Sequence, residues 1–369
     1  MKNLSRITAI VLVLCMLVGL TGCADRSWVA KFSLDGECGI SSEELAAIIS
    51  ASDISATDVS SETEVISAGF YPACIVHVHD ALANEGVIST YTSLDSQTVD
   101  GMNALDYIDM KAQLMVKTYV IARRQCELLG LEYDRTASSY YESYLTSYET
   151  YKDFYEENGI GLESFMRASL DYDSLLNLLF IAKYEAGGYE AIGDDELMVY
   201  YNEGFMRATV IQQSFYNADG TAFTDEEKAS AIALFTGYYD QFKAGTANID
   251  DYVAMYSGDS SDYTFGQSNT LATIDENDST AQAIVAANVG DYVLFQEESY
   301  IAIYRKEEVN YDNGVEFKEY RSTLLNYYKY DQFVESLEAI AESADDYKVN
   351  NGVFNQLSIS KLPMSQTAA

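Results

Sequence analysis

Basic residues, prolines, histidines and cysteines are all scarce in this sequence, and each shortage excludes something. Only 22 Lys and Arg stand against 58 Asp and Glu, a formal charge of −36. So acidic a body repels phosphate backbones and anionic lipid surfaces, which excludes nucleic acid as a partner. The two prolines, Pro72 and Pro363, suit long helices better than a loop-rich sandwich. Five widely spaced cysteines contain no CxxC and no close Cys/His cluster, so neither a disulfide framework nor a redox or zinc site is expected. The two histidines stand together in "VHVHD" as His77 and His79. On a strand that spacing puts both on one face, where a metal could sit; on a helix, the reading preferred here, they diverge, and no metal is expected. GxSxG, Walker, HExxH and dinucleotide fingerprints are all missing, so no cofactor is implied. Carboxylate pairs are too numerous to single out one of glycosidase type.

What the sequence has is apolar and aromatic material, 48% and 13% of its residues, including 31 tyrosines. Despite its charge it is not compositionally disordered and can bury real cores. Most of the tyrosines are expected in helix packing and the rest on a binding surface, where tyrosine adds contact area at modest entropy cost.

The first residues set the expected compartment. Lys2 and Arg6 precede an apolar run over residues 7–20, too short for a convincing permanent span, and then comes "LTGC" ending at Cys23. The pattern resembles a bacterial lipobox, which implies cleavage before Cys23 and a diacylglycerol on its thiol. The protein is then tethered to the extracytoplasmic face of a cell membrane. An ordinary signal peptide or an uncleaved anchor are the alternatives.

From there the sequence divides into 1–22 as signal peptide, 23–67 as anchor spacer, 68–204 as a helical domain, 205–308 as a small α/β module, and 309–369 as a last helix and tail packing on the helical domain. The spacer centres on the small, polar "SASDISATDVSSETEVIS" (50–67), although "SSEELAAIIS" (41–50) could make a short helix. "AGFYPACIVHVHDALANE" (68–85) reads as a buried helix with Pro72 in its first turn. Leu105, Ile108, Ala112, Met115, Tyr119 and Ala122 recur every three or four residues, the face of a long amphipathic helix closed by Gly130. Helices follow over 134–157 and 162–184, and Asp194 or its neighbour caps another.

At Arg207 the period changes from helix to strand: "ATVIQQSFY" is β-branched and aromatic, and "NADG" turns it. "FYNADGTAFTDE" nearly fits a calcium loop, but its first position is Phe215, which offers no oxygen, so a turn is expected. "TDEE" (224–227) is a capping box opening a helix to Gly245, and "NIDDYVAMYS" reads as a second helix. After a polar stretch with Gly258 and Gly266 come a small helix near 281–287 and a hairpin of "GDYVLFQ" and "SYIAIYRKE". The expected fold is α+β and mostly α.

This order of parts, with "YKDFYEENGIGLESF" (151–165) and "GGYEAIGDDELMVYYNEGF" (187–205), resembles the PrsA/SurA-type extracytoplasmic foldases, lipoproteins that carry a parvulin-type peptidyl-prolyl isomerase module. Asp195, Glu196, Tyr200, Tyr201, Glu203 and Arg207 match the family's approach to its first strand, and Lys243, Gly245, Tyr256 and Ser257 its two helices. The resemblance covers about residues 100–340. It implies a helical chaperone domain beside a parvulin-like module, and unfolded or partly folded secreted polypeptides as partners. The family's paired histidines fall on Val210 and Ile301, and its "D-L-G-x-F" loop on "DYTFGQ" (262–267). With both histidines replaced by apolar residues, the resemblance implies isomerase activity weak or lost and a module kept for peptide contact, with Gln212, Phe265 and Phe295 as contacts. The alternatives are an active parvulin-type isomerase, or a non-catalytic surface lipoprotein that has kept only the scaffold.

Overall fold

A computed structural model describes residues 28–33, 39–51, 63–217, 219–257, 264–310, 314–344 and 347–362. Cys23 and Cys38, with the apolar run of residues 7–20, lie outside them. The described residues up to 191, with those from 329 on, form one compact unit and the described residues of 192–328 the other; the fold is α+β and mostly helical, with small antiparallel sheets.

The first unit is built on two helices, α2 (Phe70–Asn84) and α3 (Ala104–Leu128). Pro72 sits in the first turn of α2, where a helix has no use for its missing N–H. Phe70, Cys74 and Ile75 of α2 are fully buried, as are Ile108, Ala112 and Ala122 of α3, and Phe70 meets Tyr119 at 4.8 Å. Burial of a large apolar residue is worth about 1.5–3 kcal/mol, which is what holds the pair together. Asn103 caps α3 by accepting from Leu105 N at 3.0 Å, and Gly130, at φ 64°, ends it. Just before α3 a hairpin joins β3 (Thr98–Val99) to β4 (Met102–Asn103). Its turn residues Asp100 and Gly101 both take positive φ, the primed geometry that matches strand twist.

Helices α4 (Tyr141–Thr150) and α5 (Lys152–Glu157) follow, and α6 (Leu162–Met166) continues through a π turn, Arg167–Asp171, into α7 (Tyr172–Tyr184). Tyr148, Tyr155 and Phe165 interlock, with centroids 4.7 to 5.5 Å apart. These tyrosines are core packing.

The stretch expected to be a spacer contains two strands, β1 (Trp28–Ser33) and β2 (Thr63–Ser67), and helix α1 (Ser42–Ala51). The strands join β9 (Tyr347–Val349) in the order β2-β1-β9, so a terminal segment read as extended tail supplies an edge strand. Asn350 reinforces this closure by donating from its backbone to Val29 O at 2.8 Å and from Nδ2 to Trp28 O at 3.1 Å. Beyond it α13 (Asn351–Gln356) leads to Ile359, whose N–H donates to Asp109 Oδ1 at 2.9 Å.

The second unit opens with α8 (Asp194–Gly204), whose N-cap is Gly193 and not an aspartate. There follow β5 (Phe205–Ser214), α9 (Asp225–Lys243), α10 (Ile249–Tyr256), β6 (Thr264–Thr273), α11 (Ser279–Ala286), β7 (Tyr292–Gln296) and β8 (Tyr300–Glu307). The strands form one antiparallel sheet in the order β6-β5-β8-β7. Thr224 and Glu227 complete the capping box of α9. In this unit, strand β6 is the element absent from the sequence reading. It is a sheet edge, and its polar "TFGQSNTLAT" has the composition of an edge and not of an apolar strand. The long helix α12 (Val315–Ser343) passes from this unit into the first: its residues up to Tyr328 group with the α/β module, and those from Lys329 with the helical unit.

Candidate peptide-contact face

Strand pairing assigns every residue of the sheet to a face, because residues directly opposite share a face and neighbours along a strand alternate. Ile211 lies opposite Ile303, and Gln213 opposite Ile301. Ile211, Ile301 and Ile303 form the core with Phe235 and Phe242 of α9 and with Ile249 and Tyr256 of α10. Gly266 of β6 is on this side opposite Ile211, and a Cβ there would stand 2.4 Å from Val253 O of α10. Glycine is what lets α10 lie against the sheet.

The other face is different in kind. Phe265, Gln212, Ala302 and Phe295 form one row across all four strands, and Gln267, Val210, Tyr304 and Val293 form the next. Helix α11 packs against β5, β7 and β8, burying Ala281 and Ile284, while Thr280 Oγ1 lies 3.3 Å from Tyr300 Oη. Lys306 Nζ holds the end of that helix by donating to Val285 O and Ala287 O at 2.6 and 2.7 Å. Phe265 keeps 44% of its surface exposed, Gln212 and Phe295 are partly buried, and Ala302 is fully buried. Burial, and after it the neighbouring Tyr300, pushes the Tyr304 phenol above its ordinary range, so it stays a neutral hydrogen-bonding group at physiological pH. The two rows hold no carboxylate, imidazole or thiol, so they offer rings, amides and a hydroxyl but no general acid or base for neutral pH.

The expected contacts Gln212, Phe265 and Phe295 are therefore brought together. Val210 and Ile301 are not: Val210 is 6% exposed on the same face as Gln212, whereas Ile301 is fully buried in the core on the opposite face. Two residues on opposite sides of a sheet cannot form a paired site. On β8 the residues that share Val210's face are Ala302 and Tyr304, the latter directly across from it. Tyr300, Ala302 and Tyr304 were missed as face residues, although their alternation with Ile301 and Ile303 in "YIAIY" carries the signal. Of "DYTFGQ", Asp262 and Tyr263 lie outside the described residues and Thr264 to Gln267 are strand, not loop.

The remaining candidates are structural. His77 and His79 ride on α2; His77 is edge-on to Tyr172 and His79 Nδ1 lies 2.9 Å from Asp80 Oδ1. Among the described residues no cluster of His, Cys, Asp and Glu is arranged to hold a metal. Cys74 and Cys126 are buried thiols, and burial pushes Cys126 up to about 12. The near-calcium loop is a turn: Asp219 accepts from Thr221 N at 2.9 Å and Oγ1 at 2.6 Å, bonds that hold its carboxyl low, and Gly220 has φ 82°.

The fold and this face describe a helical unit joined in one polypeptide to an α/β module with a polar-aromatic sheet surface. Two solved structures similar to the chain are foldases. Foldase protein PrsA from Streptococcus pneumoniae aligns over 73% of this chain and 100% of its own, with 14% identity and a TM-score of 0.35. PrsA from Bacillus subtilis aligns over 69% of this chain and 92% of its own, with 15% identity and a TM-score of 0.26. No protein family and no curated protein matches the sequence.

Proposed function

We propose that this protein is a lipid-tethered extracytoplasmic chaperone of the foldase kind, which binds unfolded or partly folded secreted polypeptides and has little or no isomerase activity. The observation that carries this reading is the cross-strand row Phe265, Gln212, Ala302 and Phe295, which presents aromatic surface and an amide on one side of the sheet without an ionisable group. Fully burying a phenylalanine is worth about 1.5–3 kcal/mol, so the half-exposed Phe265 ring and the partly buried Phe295 ring give weak, reversible attachment of the sort a released client needs. Tyr140, Tyr151, Phe154 and Leu162, exposed on the helical unit, supply further apolar contacts, and several weak sites on one polypeptide reinforce one another. The formal charge of −36 keeps client complexes soluble and attracts basic segments. A diacylglycerol on Cys23 supplies the tether; no helix among the described residues is long and apolar enough to cross a membrane.

Prolyl isomerisation faces a barrier of ~18–20 kcal/mol. In refolding of a client whose slow phase is proline-limited, the protein is expected to raise the yield of native client and leave the rate of that phase unchanged. A rate that rises in proportion to chaperone concentration makes the protein an isomerase instead, and an unchanged yield leaves only a scaffold.

A further inference from the structure

In a protein with so few basic residues, three of the arginines line one cavity of the helical unit. The cavity is about 480 Å³ and is walled by Arg123, Arg135 and Arg167 together with Tyr119, Tyr133 and Tyr141. Carboxylates are there too, and the way they are used decides what is left. Arg135 is fully engaged: Nε donates to Asp171 at 2.8 Å, Nη1 to Glu163 at 2.8 Å, and Nη2 to both. Tyr133 Oη donates to the same Asp171 at 2.9 Å. These groups form a closed frame. Arg123 is bonded to Tyr119 Oη at 3.4 Å and lies 3.6 Å from Glu127.

Arg167 is not closed off in this way. Its Nε donates to Glu163 Oε1 at 2.9 Å, which fixes the plane of the guanidinium, but Nη1 and Nη2 have no hydrogen-bond acceptor among the described residues although the side chain is only 16% exposed. The Tyr141 hydroxyl, another wall group, is likewise without a bonded partner among them. Arg167 and Asp171 are the two ends of the π turn, a rare interruption that recurs at functional sites; the widened turn puts both residues on the cavity wall. A guanidinium fixed through Nε and open at both Nη atoms presents the fork that pairs a carboxylate through two parallel bonds.

We propose that this cavity binds a peptide carboxylate through the two Nη groups of Arg167, with the tyrosine rings taking the apolar body of the residue that bears it. The carboxylate can come from the C-terminus of a peptide or from an acidic side chain. The site does not depend on the client-binding reading, since a protein that binds no unfolded client can still take such a ligand.

The test is calorimetric titration of the full-length protein, held in detergent micelles, with N-acetyl-phenylalanine and with its uncharged amide. The acid is expected to bind at least about tenfold more tightly than the amide, a ratio equivalent to one charge-assisted hydrogen bond or more. N-acetyl-glutamate amide decides the source: tighter binding than N-acetyl-phenylalanine assigns a side-chain carboxylate, weaker binding a C-terminus. Arg167→Gln should abolish the preference for the acid, while Arg167→Lys, which keeps the charge without the fork, should retain only part of it. Arg321→Gln, in the other unit, should leave it intact. Equal binding of acid and amide, or no binding of any probe by the unaltered protein, overturns the proposal whether or not the variants fold.

Discussion

Replacing Arg207 by leucine is expected to destabilise the 192–328 unit by about 3–5 kcal/mol, the cost of leaving the remainder of a buried ionic cluster unpaired. Only 2% of the side chain is exposed, and it joins the elements around it. Nη1 donates to Asn269 O of β6 at 2.7 Å, Nε to Val309 O at 3.2 Å, and Nη2 to Tyr201 Oη of α8 at 3.1 Å and to the Glu316 carboxylate of α12. Leucine fills much of the volume and satisfies none of these acceptors, so Asn269 O loses this donor, while Val309 O and the partly buried Glu316 carboxylate lose the cation and keep the Tyr201 hydroxyl, at 3.3 and 3.2 Å. Urea denaturation followed by tyrosine fluorescence reads the loss. The companion Arg207→Leu with Glu316→Leu should recover a substantial part, because removing both charges avoids the stranded one. A single variant within about 1 kcal/mol of the wild type contradicts the assignment.

Gly266→Ala should be the second large effect, about 2–3 kcal/mol, and its cause is steric alone. The added methyl would meet Val253 O at 2.4 Å, Ser257 N at 2.9 Å and Tyr256 C at 2.9 Å, all backbone of α10 and its cap, which cannot rotate away. The helix must lift from the sheet, loosening the contact of Tyr256 with Phe235, whose centroids are 5.4 Å apart. Thermal melting followed by far-UV circular dichroism measures this. Gly237→Ala on α9, where nothing lies within 4 Å, is the control and should be neutral or stabilising.

Elements with strong local signals were legible in the sequence. The periodic face of α3, Pro72 in the first turn of α2, the capping box of α9 and the β-branched, aromatic run of β5 each depend on residues within a few positions of one another. What escaped depends on partners far along the sequence. Strand β1 pairs with β2 thirty or more residues on and with β9 near the opposite terminus, and polar β6 is a strand only because β5 holds it. The candidate face was half legible for the same reason. Gln212, Phe265 and Phe295 meet in one row, but placing the second family position on Ile301 is one residue from Ala302, and in a strand one residue exchanges the contact face for the core.

The central claim is that the Phe265, Gln212 and Phe295 face holds unfolded polypeptides. It is tested most directly by fluorescence anisotropy with a labelled, permanently unfolded client, comparing the wild type with Phe265→Ser and with Phe265→Ser plus Phe295→Ser. Phe265 is 44% exposed, so its single replacement should shift the melting temperature by no more than a few degrees. The account predicts client affinity reduced about threefold to tenfold by the single substitution and more than about tenfold by the pair, as expected for removing about 1 kcal/mol of apolar contact per ring. Unchanged affinity in both variants, with the fold intact, would contradict it.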